Sequence, residues 1–281
     1  MRPLAHRRVG PRLDTVLLTL LAALLAAAFV MPMIYTVISS LKPRDEIFEF
    51  PIRWIPQHIR LANFIDPFRK LSFGLYVMNS VIAASAVTAA SLVLCSMGGY
   101  SLAKFDYKAR GAFFLMVLLT MMLPIEITMV PLALVVRFLG MMNTRAGLIL
   151  PVMITPLGVF WMRQFLLTLP DDYMDAARID GLGELRIFWR VVLPMSLPAL
   201  GALSIFTFMT NWNSLIWPLI VATRDITRTF PVGLVAMIGE YDTMWNELFA
   251  MAVVAVAPTL TVFLILRGRL IQGMAMVGLK G

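Results

Sequence analysis

The sequence predicts an all-α protein that crosses a membrane several times. Of its 281 residues, 60% are hydrophobic and only 14% are charged. A soluble domain is about half apolar and about a quarter charged, so this chain carries more apolar surface than a water-facing fold can bury. The apolar residues also form long runs, which are typical of membrane-spanning helices. We therefore expect a single transmembrane domain over residues 1–281.

Six apolar stretches are long enough to span a bilayer. A helix rises about 1.5 Å per residue, so about 20 mainly apolar residues cross the hydrocarbon core. The stretches lie at about residues 15–39, 74–102, 112–136, 146–165, 197–221 and 248–266. Several contain prolines, which membrane helices tolerate when neighbouring groups satisfy the carbonyls that proline frees. We therefore predict six spans, some of them kinked.

The distribution of lysine and arginine predicts the orientation. Positive charges collect in the cytoplasmic loops of membrane proteins. If both termini are cytoplasmic, the inside segments hold the larger share of the 24 basic residues. The net charge of +8 is spread between the apolar runs, so it fits membrane topology better than nucleic-acid binding. We expect a multi-pass membrane protein with both termini in the cytoplasm.

No residue pattern in the chain predicts catalysis. Cys95 has no partner cysteine, and His6 and His58 are isolated, so neither a metal site nor a nucleophilic centre is expected. The chain also lacks the glycine-rich loop that cradles nucleotide phosphates. We predict that it is not an enzyme and binds no cofactor itself.

A charged loop, residues 169–196, separates the fourth and fifth stretches. Asp171 or Asp172 is a plausible N-cap, and residues 173–179 can form a short helix. Gly181 then permits a sharp change of direction. Residues 185–193 are expected to form a second, amphipathic helix with Leu185, Phe188, Trp189, Val192 and Leu193 on one side. The loop is therefore predicted to be a rigid projection.

This loop resembles the "EAA" loop of ABC-importer permeases. That pattern is Glu-Ala-Ala, three residues, Gly, nine residues and Ile-x-Leu-Pro. The matching residues here are Asp175, Ala176, Ala177, Gly181, Val191, Val192, Leu193 and Pro194. Two positions depart from it, since Asp175 replaces Glu and Val191 replaces Ile. Residues 123–131, 165–172, 211–213, 217–221 and 278–281 extend the resemblance to the carbohydrate-uptake group, which includes maltose-transporter G-type and glycerol-phosphate permeases.

The resemblance implies the type I ABC-importer permease fold and a mechanism. In such importers a short coupling helix docks on an ATP-binding subunit, and closure of two such subunits on ATP and Mg²⁺ rocks two permeases. A periplasmic or lipid-anchored binding protein then delivers the substrate. The coupling residues implied here are Tyr173, Asp175, Ala176, Ala177, Asp180, Gly181, Leu193 and Pro194. Asp175 reaches one methylene less far than the usual glutamate.

Several polar residues inside the apolar stretches have two interpretations. Asn211, Trp212 and Asn213 can line a sugar path or fix helix packing through interhelical hydrogen bonds, and packing or gating is favoured. Asn79 presents the same alternatives. Glu126 follows Pro124 within a span, where an ionisable group is costly; it is either functional or a structural cap at a broken helix.

The function that the resemblance implies is uptake of a di- or oligosaccharide across the bacterial inner membrane. An alternative within the class is glycerol-3-phosphate or its diesters, because Glu126 in its Leu-Pro-x-Glu setting resembles that branch. An ion-coupled secondary transporter is an alternative of another class. It predicts internal repeats with buried acids in both halves, and the sequence shows neither.

Overall fold

The computed structural model describes residues 13–239 and 243–278, with side chains at 15–239 and 243–265. The predicted basic start, residues 1–12, and the tail residues 279–281 lie outside this part of the chain. The described helices are α1 (Leu13–Ser39), α2 (Asp66–Lys70), α3 (Phe73–Lys104), α4 (Arg110–Met122), α5 (Ile125–Phe138), α6 (Arg145–Ile149), α7 (Pro156–Leu166), α8 (Asp172–Ile179), α9 (Glu184–Ile187), α10 (Leu193–Met195), α11 (Leu197–Trp212), α12 (Ile216–Val221), α13 (Phe230–Ala236) and α14 (Trp245–Gly278). Single helical turns at Leu61–Phe64, Leu150–Val152, Phe188–Val192 and Asp225–Thr227 complete them. The described residues contain no strand, so the all-α class is confirmed.

Three helical segments are each long and apolar enough to cross a membrane. They are Thr15–Ser39, Phe73–Lys104 and Trp245–Ile265. Three further segments meet the same criteria only as pairs of helices joined at a bend, so the described chain holds up to six spans. The pairs are α4 with α5, bent by 106°, the Arg145–Val152 segment with α7, bent by 43°, and the Glu184–Met195 segment with α11, bent by 80°.

The third apolar stretch is not one continuous helix. α4 ends at Met122 and α5 begins at Ile125, and the backbone at Leu123 is extended, with ψ 124°. A residue before proline is driven out of the helical region because the proline ring clashes with its backbone. Pro124 therefore ends one helix and occupies the N-cap position of the next, with Glu126 in the first turn of α5. The fifth stretch also breaks, since α11 ends at Trp212 and a separate helix α12 follows.

The described residues fall into two compact units. The first lies within Met1–Pro67 and Asp242–Val254. Its organising side chain is the fully buried Asn63, whose Nδ2 donates to the carbonyls of Ser40 at 2.9 Å and Lys42 at 2.8 Å. The Asn63 Oδ1 accepts from Asn246 Nδ2 at 2.7 Å. One amide thus satisfies backbone groups that burial would otherwise leave unpaired.

The second unit, Phe68–Tyr241 with Ala255–Gly281, is built around α3. α3 packs against α7 at a close approach where Gly99 faces Met162. A Cβ on Gly99 would lie 2.7 Å from the Met162 Cβ and 2.8 Å from the Arg163 backbone nitrogen. Backbone atoms cannot rotate away, so only glycine fits this position. α7 can therefore pack this closely on α3 only because residue 99 is glycine and has no side chain.

We predict that Gly99→Ala destabilises the protein by about 1–3 kcal/mol, the usual cost of overpacking a close contact. Gly74→Ala is the matched control in the same helix, since nothing lies within 4 Å of a Cβ there. Alanine favours a helix over glycine by up to about 1 kcal/mol, so the control should be neutral or stabilising. Thermal unfolding in detergent measures both. Equal melting temperatures for the two variants would contradict the packing assigned to Gly99.

Candidate functional site

The loop between α7 and α11 begins with the helix that the sequence predicts. α8 runs from Asp172 to Ile179 and ends at a left-handed glycine, Gly181, with φ +80°. The Leu182 N–H donates to the Ala177 carbonyl and the Gly181 N–H to the Arg178 carbonyl, each at 3.0 Å. This pair of bonds is the Schellman motif, which satisfies the last carbonyls of a helix and needs a residue with positive φ. Gly181 therefore fixes the angle at which the chain leaves α8.

The second half of the loop is helical from Glu184 to Met195, with a π-turn at Phe188–Val192. Its amphipathic character is as predicted, but the buried face differs. Ile187, Phe188 and Val192 are buried, whereas Leu185 and Trp189 are 63% and 49% exposed. A π-turn inserts one extra residue into a helical turn and rotates the residues around it. A face assigned from regular 3.6-residue spacing is therefore wrong at Leu185 and Trp189.

One face of α8 packs against the loop's own hydrophobic core, and another face is exposed. Met174 and Ala177 are buried against a cluster that includes Tyr100, Leu166 and Phe188. On the other side the exposed residues are Tyr173, Ala176, Ile179 and Asp180. Ile179 is 87% exposed and adds apolar area to this side of the helix. The two alanines are therefore not equivalent, since only Ala176 is available to a partner.

Lys104, at the end of α3, holds the beginning of α8. Its Nζ donates to the Leu169 carbonyl at 2.6 Å and to the Asp171 Oδ1 at 2.5 Å. The lysine side chain is only 6% exposed. Asp171 occupies the predicted N-cap position, but its carboxylate makes no capping bond to the helix. That carboxylate pairs with Lys104 instead.

Tyr100, one helical turn earlier on α3, holds the far end of α8 through Glu184. The Tyr100 hydroxyl donates to the Glu184 Oε2 at 3.0 Å, and the Arg178 Nε donates to the Glu184 Oε1 at 2.7 Å. Arg178 also bonds the Asp175 Oδ1 at 2.6 Å. The bond from Arg178, aided by that from Tyr100, lowers the pKa of Glu184, while Glu184 raises the pKa of Arg178. The pair is therefore ionised at neutral pH.

The remaining coupling residues complete the loop. Asp175 is half-exposed and already shares Arg178 with Glu184, so its carboxylate is engaged within this chain. Leu193 packs at the edge of the loop core, and Pro194 lies in the first turn of α10. Proline has no N–H to donate, which leaves a carbonyl of the preceding turn without its usual helical partner. The π-turn lies directly before this position.

Two of the candidate path residues lie in packed surroundings. Asn79 is buried, and its Nδ2 donates to the carbonyls of Ile226 at 2.9 Å and Arg228 at 3.0 Å. Trp212 is 1% exposed, and its Nε1 donates to the Ala255 carbonyl at 2.9 Å. Its ring stacks between Phe208 and Phe230. Both residues have the contacts that the packing interpretation predicts.

The other three candidate path residues are less enclosed. The Asn211 and Asn213 amides each donate to a carbonyl of their own helix, at 2.8 Å to Thr207 and to Met209. Asn213 is exposed. Glu126 is also exposed, in the first turn of α5, where the helix dipole favours a carboxylate. The amide nitrogens of Asn211 and Asn213 are thus used within their own helix, and Glu126 lies at the beginning of another.

Sequence reasoning did not identify Tyr100, Lys104 or Glu184 as part of this site. Tyr100 and Lys104 are four residues apart, so they share one face of α3. Their partners Glu184 and Asp171 are 84 and 67 positions away. The only signal available in the sequence is a lysine at the end of an apolar span, which is too common to single out.

The apolar helices and the structured loop between two of them are those of a multi-pass membrane protein. The chain belongs to the family of binding-protein-dependent transport system inner membrane components, whose model matches residues 95–276. It is therefore a membrane-spanning permease subunit of an ABC importer, located in the inner membrane, and it works with other subunits of that importer.

Comparisons with individual proteins extend the match to nearly the whole chain. The chain is 36% identical to the arabinooligosaccharides transport system permease protein AraQ of Halalkalibacterium halodurans, covering 98% of this chain and 99% of that protein. It is 33% identical to the sn-glycerol-3-phosphate transport system permease protein UgpE of Pectobacterium atrosepticum, covering 91% and 93%. A chain of a bacterial ABC transporter involved in the import of the acidic polysaccharide alginate superposes with a TM-score of 0.82 at 20% identity, covering 95% and 99%. That likeness confirms the fold.

We predict that Gly181→Val sharply reduces transport by the assembled importer. A side chain at positive φ costs about 1–2 kcal/mol, and a β-branched one costs more, so the turn after α8 should change. Gly183→Val is the matched control because Gly183 has φ −73° and ψ 156°, which valine adopts easily. Neither position has any atom within 4 Å of a Cβ. Initial uptake rates in vesicles measure the effect, and equal rates for the two variants would contradict the role of the turn.

Proposed function

We propose that this chain is one of two different permease subunits of an importer that takes up a di- or oligosaccharide. In this proposal, two ATP-binding subunits hydrolyse ATP with Mg²⁺, and a periplasmic or lipid-anchored binding protein delivers the sugar. The single observation that carries the proposal is the exposed face of α8. Tyr173 and Ile179 are 54% and 87% exposed on a helix that buries Met174 and Ala177 on another face.

The exposed face of α8 suits docking in a groove of an ATP-binding subunit. Ala176 has a small side chain, so a partner can approach the helix closely there. Ile179 supplies apolar area and Asp180 a carboxylate at the rim, and exposed apolar surface bordered by polar groups marks interaction sites. Asp175 contributes less in this proposal, because Arg178 already binds its carboxylate. The loop then lies on the cytoplasmic side.

α5 supports pairing with a second permease. One face of α5 packs on α12 through Met129 and Val136. The opposite face is an exposed apolar stripe formed by Ile127, Val130, Leu134 and Phe138, which are 61–90% exposed. Exposed Glu126 borders the stripe at one end. A carboxylate is costly against lipid, so a polypeptide partner or an aqueous path suits this surface better than acyl chains do.

A carbohydrate substrate is favoured by the AraQ relative, which is similar over almost the whole chain. Neutral amides also suit hydroxyl groups. Asn211 and Asn213 use their Nδ2 atoms within α11, which leaves their Oδ1 atoms as acceptors. Glycerol-3-phosphate remains the second candidate because of the UgpE relative and the Leu-Pro-x-Glu setting of Glu126.

We predict that Ala176→Cys forms a crosslink to a cysteine in the groove of the ATP-binding subunit. Ala177→Cys is the matched control, because Ala177 is 6% exposed and faces the loop's own core. Ala177→Cys should give little or no crosslinked species in the same complex. Crosslinked species are measured on denaturing gels with and without ATP. No product at position 176 in any nucleotide state would contradict docking through this face.

We also predict that the complete importer in proteoliposomes accumulates a labelled oligosaccharide only with ATP on the side of the ATP-binding subunits. Labelled glycerol-3-phosphate should not accumulate under the same conditions. Dissipating ion gradients should leave the rate unchanged, because hydrolysis drives the step. Uptake of glycerol-3-phosphate but not of the oligosaccharide would contradict a sugar substrate. Uptake driven by an ion gradient without ATP would contradict an ABC importer and indicate a secondary transporter.

A further inference from the structure

We propose that Tyr100 and Lys104 are positioning residues that make the coupling helix α8 move as one body with α3. The inference rests on the proposed function, in which α8 receives the motion of an ATP-binding subunit. The inference adds that the motion passes from α8 to the membrane-spanning helices through α3.

The two residues hold opposite ends of the same short element. Lys104 bonds Leu169 and Asp171, which directly precede α8. Tyr100 bonds Glu184, which directly follows the glycine turn after α8. Because Tyr100 and Lys104 lie one turn apart on α3, both attachments are made by one stretch of one helix. α8 is therefore held at both ends by the same helix.

The covalent connections of α8 are weaker constraints than these bonds. Between α7 and α8 the chain runs through a non-helical segment, residues 167–171, that includes Pro170. The turn at Gly181 fixes the angle of the chain only after α8, and the non-helical residues before α8 can absorb dihedral changes when α8 is pushed. The contacts with α3 bypass both connections.

The contacts with α3 are also well suited to carry force. The Lys104 side chain is 6% exposed, so water competes little at its ammonium group, although the Asp171 carboxylate is 72% exposed. Between the two polar attachments, Ala103 of α3 packs in the same cluster as Met174 and Ala177 of α8. Closely packed interiors transmit displacement rather than absorbing it. α3 in turn packs on α7 at Gly99, so a displaced α3 carries its neighbour with it.

The test measures solute transported per ATP hydrolysed by the reconstituted importer. Tyr100→Phe removes one hydroxyl and keeps the ring in the core; Tyr107→Phe is its control, since the Tyr107 hydroxyl lies only near Ser101 at 3.5 Å. Lys104→Met removes the donor; Lys108→Met, on an exposed lysine four residues later, is its control. In Tyr100→Phe and in Lys104→Met, the amount of solute transported per ATP should fall by about threefold to tenfold, the factor expected for losing a hydrogen bond. In Tyr107→Phe and Lys108→Met it should stay unchanged.

Two further variants separate positioning from general damage. Lys104→Arg keeps a charged donor and should restore most of the ratio lost in Lys104→Met. The double variant Tyr100→Phe with Glu184→Met should lose no more than Glu184→Met alone, because Tyr100 acts through the Glu184 carboxylate and methionine removes that acceptor. If the transport ratio of the double variant falls by the product of the two single-variant factors, Tyr100 does not act through Glu184. If Lys104→Met does not assemble, the Tyr100→Phe comparison decides the question, because that change leaves the apolar packing intact.

The Ala176→Cys crosslink distinguishes this inference from the proposed function. If the crosslink forms in the Tyr100→Phe and Lys104→Met backgrounds while the transport ratio equals that of the controls, α3 is not the route and the docking proposal stands. If the crosslink fails in the otherwise unchanged protein, the docking proposal itself falls. A formed crosslink with a reduced ratio supports both.

Discussion

The contact of α3 with α7 at Gly99 is the constraint on which the second unit depends. A side chain at this position would collide with the backbone of α7, so the two helices can meet only because glycine has none. The next residue along α3 is Tyr100, and Lys104 follows one turn later. The same helix thus contacts α7 on one side and bonds the residues that flank α8 on another. The packing of the spans and the position of the loop therefore depend on a few residues at one end of α3.

The bilayer imposes the second constraint, because every buried backbone group needs a partner where water is absent. Prolines break that pairing, and the chain responds by ending helices and capping new ones. α4 stops before Pro124, and α7 begins at Pro156 with the Thr155 hydroxyl accepting from the Gly158 N–H at 3.1 Å. The bends that result give short helices such as α5 an exposed face. An importer that alternates between two states needs such faces for its partners.

The loop was more predictable than the spans. The helix at α8 and the turn at Gly181 follow from local chemistry, because an acidic first turn and a glycine act within a few residues. The burial of Ala177 and the exposure of Leu185 and Trp189 did not follow. Burial depends on which side of the helix meets α3, and the π-turn at Phe188–Val192 shifts the face away from regular spacing. Similarly, a proline predicts a kink, whereas the 106° angle between α4 and α5 depends on the surrounding packing.

Composition and apolar runs by themselves determined that the protein is an all-α membrane protein, because only helices satisfy the backbone across so many apolar residues without the alternation of a barrel. The motif spacing around Gly181 determined the family. The tertiary structure alone decided that Asn79 and Trp212 lie in packed surroundings, and that Tyr100 and Lys104 hold the two ends of α8. Those contacts join residues 43 to 149 positions apart, and nothing local in a sequence records which distant groups will meet.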